Sequence, residues 1–140
     1  MADTNGLLSL AESDLERRAL VQRVLTAERQ APVLSTFVAA ELDYFLQKGW
    51  GKQGNRAFID DLAAGRFELP CFEPSDFAEI QRLNDRYRDL SPGIADLSVV
   101  VLAARYRTTR ILTFDQRHFR LMRPIQGGAF TLLPMDKDIE

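Results

Sequence analysis

Four carboxylates are placed where chemistry could be done: Asp3, Glu41, Asp96 and Asp115. Asp96 opens a run, Leu97 to Tyr106, so apolar on all sides that it reads as a helix buried against a sheet. After the polar turn Arg107 to Thr109, Ile111 to Phe114 reads as a short buried strand that ends on Asp115. In open parallel sheets the ligand crevice lies outside the carboxyl ends of the strands, so Asp115 stands where a site is expected. Asp3 is followed by Thr4, Asn5 and Gly6, a strand end turning into a helix or turn. Glu41 falls in the second turn of a helix whose neighbouring positions, Phe37, Val38, Tyr44 and Phe45, are apolar or aromatic. A carboxylate set into that stripe, with no Lys or Arg within one helical turn, needs a distant Arg or a cation as partner.

Taken singly, each acid has a plain structural job. Asp96 suits a helix N-cap, Asp115 can cap the amides of Arg117 and His118, Asp3 can be a terminal charge, and Glu41 can reach solvent on a rotated helix. Their convergence on one sheet edge argues for more. Four carboxylates that close repel one another unless a hard divalent cation lies between them, and ligation by oxygen selects Mg²⁺ or Mn²⁺ over zinc. Such a centre activates water and neutralises charge on a phosphoryl group during an in-line displacement.

The bulk composition fits this chemistry and excludes others. With 140 residues, 46% hydrophobic and 27% charged, the chain is expected to form a single domain over 1–140. One cysteine, Cys71, and one histidine, His118, cannot build a structural zinc site or an internal disulfide, which points to a reducing, cytoplasmic setting. No stretch resembles a secretion signal or a membrane helix, so no membrane is expected as a partner. A net charge of −2 means that nucleic acid would not be bound by overall field alone. The distribution is uneven, however: Arg105, Arg107, Arg110, Arg117, Arg120 and Arg123 crowd the C-terminal third, with Asp115 the one acid between them. They make either a solvated face or a basic border to the crevice, in which Arg110, Arg117, Arg120 and His118 would meet the phosphates of a substrate.

The elements that must position these side chains alternate along the chain. A helix is expected over Ser13–Glu28, with capping-box spacing between Ser13 and Glu16. Val33 and Leu34 make a very short strand, and Ser35 or Thr36 caps a helix to about Lys48. The segment 49–54, GWGKQG, reads as a loop, followed by a helix over Asn55–Ala64 closed by Gly65. Phe67 to Phe72 alternates as a strand, Asp76 and Glu79 begin a further helix to about Arg88, and Phe130 to Leu133 forms a last strand after Gly127 and Gly128. The order predicts an α/β domain with a mainly parallel sheet and right-handed crossovers.

Read together, these residues resemble the PIN-domain ribonucleases, and in particular the VapC toxins of VapBC type II toxin–antitoxin pairs. The resemblance rests on Asp3-Thr4 with Leu7-Leu8, on Ala40-Glu41-Leu42-Asp43-Tyr44, on Gly93-Ile94-Ala95-Asp96, and on Thr113-Phe114-Asp115 with Arg117-His118-Phe119. Arg123-Pro124-Ile125, Gly127-Gly128 and Phe130 look like one subgroup of these toxins. It implies a three-layer α/β/α fold with a mainly parallel five-stranded sheet. It also implies a Mg²⁺-dependent endoribonuclease, with Mn²⁺ able to substitute, in which Asp3, Glu41, Asp96 and Asp115 hold the metal. Thr4 and Thr113 match family hydroxyls near the site that could hold a carboxylate or water. A homodimer and a small VapB-like antitoxin covering the crevice are further implications, with transfer RNA or ribosomal RNA as the substrate. The chain departs from the family in having only Met1 and Ala2 before Asp3, so the first strand is expected to be very short or to begin upstream.

Two other functions are compatible with parts of the pattern. A housekeeping RNA-processing nuclease would use the same acids. A receiver-like Mg²⁺-binding signalling domain would need adjacent acids at the first strand and a lysine at a later strand end. Lys48, Lys52 and Lys137 are the lysines present, and none ends an expected core strand.

Overall fold

A computed structural model of the chain describes residues 1–136, so Lys137 lies outside the described residues. The order of elements is α1 (Thr4–Leu8), α2 (Leu15–Ala27), α3 (Thr36–Ala63), α4 (Pro74–Arg86), α5 (Ile94–Arg105), β1 (Arg110–Leu112), α6 (Gln116–Phe119) and β2 (Thr131–Leu133). Helix α5 is the centre of the packing. Ala95 and every residue from Leu97 to Ala103 are buried, as an apolar run with no polar face requires. It packs on α3 and α4, while α1 packs on α3.

The α/β/α arrangement holds a small parallel sheet, and the expectation of five strands is incorrect. Among the described residues only β1 and β2 are strands; they pair in parallel, Arg110 with Thr131, Ile111 with Leu132 and Leu112 with Leu133. The other extended segments make single parallel bridges, Ala2 to both Leu34 and Leu112, and Val33 to Glu68. The reason is local. Asp3 is already the N-cap of α1 and Ser35 that of α3, so each segment leaves the sheet after one or two residues. In the segment read as a strand over Phe67–Phe72, Pro70 has no amide to continue a ladder, and only Glu68 pairs.

The helices correct three further expectations. Segment 49–54 is not a loop: α3 runs through it, interrupted only at Gly51, whose φ of 63° and ψ of −148° kink the helix. Glycine adopts that geometry without a Cβ penalty. Gly54 then lets the second half fold close, since a Cβ there would lie 2.7 Å from the Leu46 carbonyl oxygen. Helix α2 begins at Leu15, because Asp14, rather than Ser13, accepts from the Arg17 amide at 3.0 Å. Helix α4 begins at Pro74, two residues ahead of the expected start, with the Asp76 carboxylate accepting from the Glu73 amide at 2.7 Å. Among the described residues no helix is long and apolar enough to cross a membrane.

Candidate metal centre

The site is assembled where α1, α3, α5 and the end of β1 meet. Backbone bonds from the Asp3 amide to the Leu112 carbonyl and from the Leu112 amide to the Met1 carbonyl lay the start of the chain along β1. Asp3 therefore enters the core, 3% exposed. Its Oδ2 lies 2.8 Å from the hydroxyl of Thr113, which follows the last residue of β1. The same hydroxyl is 2.8 Å from Asn5 Oδ1 and can donate to only one of the two at a time, while it accepts from the Asp115 amide at 3.0 Å. Asn5 Oδ1 also accepts from the Phe114 amide at 2.8 Å, tying α1 to the segment that carries Asp115. Gly6 permits this closeness, since a Cβ there would lie 2.4 Å from the Leu112 carbonyl oxygen.

Glu41 is not buried in an apolar stripe, contrary to the expectation from its neighbours. The buried face of that half of α3 is Val38, Leu42 and Leu46, and Glu41 is exposed, with its Oε1 accepting from the Thr4 hydroxyl at 2.6 Å. Asp96 is the third residue of α5 behind the N-cap Gly93, so it is not the cap, although an acid in the first turn is favoured by the helix dipole. Asp115 does serve as the cap of α6: Oδ1 accepts from the amides of Arg117 at 3.0 Å and His118 at 3.4 Å. Capping occupies one oxygen and leaves Oδ2 to face the site.

His118 closes the arrangement. Its Nδ1 lies 2.9 Å from Asp96 Oδ2 and 3.4 Å from Asp115 Oδ2, without the alignment of a hydrogen bond to either. All four acids line one cavity of about 360 Å³, together with Thr4, Asn5 and His118, and with Leu8 and Phe45 as an apolar wall. Burial pushes the Asp3 carboxyl up to about 7; the Thr113 hydroxyl opposes that rise, and the charges of Asp96 and Asp115 add to it. Asp96 is also raised, by burial first and then by Asp115 and Glu41, against the pull of His118. The acids thus feel one another as a group, with no Lys or Arg among the residues lining the cavity.

These residues fit a divalent cation. Asp96, Asp115 and His118 each offer a ligand atom within 4.8 Å of the others, and the buried Asp3 carboxyl has neutral donors, the Thr113 hydroxyl and the Thr4 amide, and no cation beside it. A cation would relieve the repulsion that raises Asp3 and Asp96.

The basic border is less continuous than the sequence suggests. Arg110 begins β1 at the opposite end from Asp115, lines a different cavity and pairs with Glu28 at 2.6 Å. Arg120 forks onto Asp136 at 2.8 and 2.5 Å, and Arg105 pairs with Asp76. Arg117 is exposed next to Asp115. The sequence reading missed Asn5 and Phe45 as lining residues and did not bring His118 to the acids; the i+3 spacing from Asp115 was the available signal for the histidine.

The fold and the acid-lined cavity define a metal-dependent PIN-domain nuclease: the PIN domain model matches residues 1–123, and the chain belongs to that family, as a toxin nuclease of the VapC type. Its relatives place it more closely. It is 39% identical over 132 residues to Ribonuclease VapC26 of Mycobacterium tuberculosis (strain ATCC 25618 / H37Rv), covering 94% of this chain and 98% of that one. The crystal structure of Mycobacterium tuberculosis VapC20, described as a sarcin-ricin loop cleaving toxin, matches with a TM-score of 0.70 over 81% of this chain and 88% of that one. At 14% identity that likeness concerns the fold.

Proposed function

We propose that this protein is the toxin of a VapBC-type pair, a homodimer that cleaves structured RNA, transfer or ribosomal, with Mg²⁺ held by Asp3, Glu41, Asp96 and Asp115. The observation that carries the reading is the single cavity lined by all four acids and by no Lys or Arg. When bound, the metal supplies a lowered proton affinity for water and neutralisation of phosphoryl charge. Thr113 orients Asp3, Thr4 orients Glu41, and the α6 amides fix Asp115, so the carboxylates are held before substrate arrives. Arg117, exposed beside Asp115, is the cation best placed to meet a phosphate; Arg110 and Arg120 would have to leave Glu28 and Asp136 to do so.

A VapB-like partner would inhibit by placing an Arg or Lys among the carboxylates, with Arg the better fit because its fork matches a carboxylate and keeps its charge. Sequencing of RNA 5′ ends after induced expression tests the reading. Discrete new ends within tRNA or rRNA, with growth arrest relieved by co-expression of the neighbouring antitoxin-like frame, are expected. Growth arrest with intact RNA would contradict it, and cleavage without arrest would favour a housekeeping processing role.

A further inference from the structure

The apolar wall of the acid-lined cavity has no role in holding a cation. Phe45 lies one helical turn beyond Glu41 on α3 and, with Leu8 of α1, faces the space that the carboxylates enclose. It is 38% exposed, whereas its neighbours Leu42 and Leu46 carry the buried side of the helix. Tyr44, 61% exposed, stands edge-on beside it, with ring centroids 5.4 Å apart and planes at 70°. Phe45 is thus a partly exposed ring that lines the cavity and lies outside the core.

Resting on the ribonuclease reading above, we infer that Phe45 is the stacking platform for a nucleobase next to the scissile phosphodiester. A nucleotide's base is one sugar away from its phosphate. A strand with that phosphate among Asp3, Asp96 and Asp115 therefore brings an adjacent base within reach of the remaining lining, where Leu8, Gly93 and Ala95 are apolar and Phe45 carries the one phenyl ring. A cation among the carboxylates would hold the phosphate and not the base, so the base needs a hold that does not depend on charge. A base on an aromatic ring supplies one and tolerates any base, because each has a π-face. The ring would then set the register of the strand over the acids, making Phe45 a residue that positions substrate rather than one that touches the reacting atoms.

Short RNAs carrying 2-aminopurine at successive positions test this with the full-length protein. They would span the cut mapped by 5′-end sequencing, or have mixed sequence if no cut maps. Stacking quenches the probe, so wild type should quench it at one or two adjacent positions, Phe45→Trp should do the same, and Phe45→Leu should not. Phe45→Leu should also lower kcat/KM by about 5- to 150-fold, the range of one base–aromatic stack. That loss should vanish on RNA with an abasic ribose at the quenched position. Unchanged Mg²⁺-induced thermal stabilisation in Phe45→Leu would place the defect in RNA binding and not in the metal site. Position-specific quenching without cleavage would preserve the platform and overturn the ribonuclease reading. Cleavage with equal quenching by wild type and Phe45→Leu would overturn the platform alone, as would no quenching at any position. A Phe45→Leu defect confined to self-association or antitoxin binding would assign the ring to a protein contact and likewise overturn it.

Discussion

Asp3 is the residue on which the site's chemistry leaves the clearest thermodynamic trace. Its folded carboxyl is pushed up to about 7 from an ordinary 3.8, chiefly by burial. Between those values the folded protein binds more protons than the unfolded chain, so metal-free stability should fall as pH rises from about 4 to about 7 and level off above. The Asp3 carboxyl by itself changes stability by on the order of 4 kcal/mol across that range. Thermal melts in chelator at pH 5 and pH 7 check the direction, and Asp3→Asn should flatten the dependence. A metal-free protein that gains stability over that range would contradict the burial argument. Mg²⁺ needs the ionised carboxylates, so its affinity should rise with pH over the same interval. Asp96→Asn tests the ligand role more narrowly. A ligand at 100 times its Kd stabilises by about 2.7 kcal/mol, roughly 5 to 10 °C for a domain of this size. Wild type should show that shift with Mg²⁺, and Asp96→Asn much less of it. Equal shifts would remove Asp96 from the ligand set.

At the scale of elements, the site depends on how closely α1 lies on β1. Gly6→Ala would drive a Cβ into the Leu112 carbonyl and push away the helix that carries Asp3, Thr4 and Asn5. A loss of about 1 to 3 kcal/mol in stability, together with weaker Mg²⁺ binding, is the expected outcome of denaturant titration and calorimetry. Gly54→Ala, which crowds the Leu46 carbonyl inside α3, should cost a similar amount of stability while leaving metal affinity within about twofold. If the two variants weaken the metal alike, α1 has no special place in the centre. Elements with strong local signals were legible in the sequence: α5 from its continuous apolar run, the caps at Ser35 and Asp115, and β2 after its paired glycines. The failures came where tertiary packing decides. A glycine-rich stretch can sit inside a kinked helix when only Gly51 needs a positive φ, and a single bridge at Glu68 carries no more pattern than a loop. Convergence of the acids could be inferred from their places at strand ends and helix starts. The Asn5–Phe114 bond, the approach of His118 to Asp96 and the exposure of Glu41 depend on side-chain directions that no local spacing encodes.

For the whole molecule, charge links the site to its partners. The protein carries a net charge of −2, and Arg110 and Arg120 are held in ion pairs, so overall field does not draw RNA in and the contact rests on individual cations near the cavity. RNA affinity should fall with salt at a slope of roughly 0.7 per neutralised phosphate, and Arg117→Ala should reduce that slope by about that amount in a binding titration. An unchanged slope would release Arg117 from phosphate contact. The antitoxin proposed above should compete with Mg²⁺, and equal antitoxin affinity at zero and saturating Mg²⁺ would place its docking elsewhere. The central claim, that the carboxylate cavity cuts RNA through a divalent cation, is met most directly with purified wild type and Asp115→Asn on one mapped RNA, each in Mg²⁺ and in chelator. The account predicts specific cleavage by wild type in Mg²⁺ and intact RNA in the other three reactions. Cleavage that persists in chelator, or that Asp115→Asn performs as well as wild type, would contradict it.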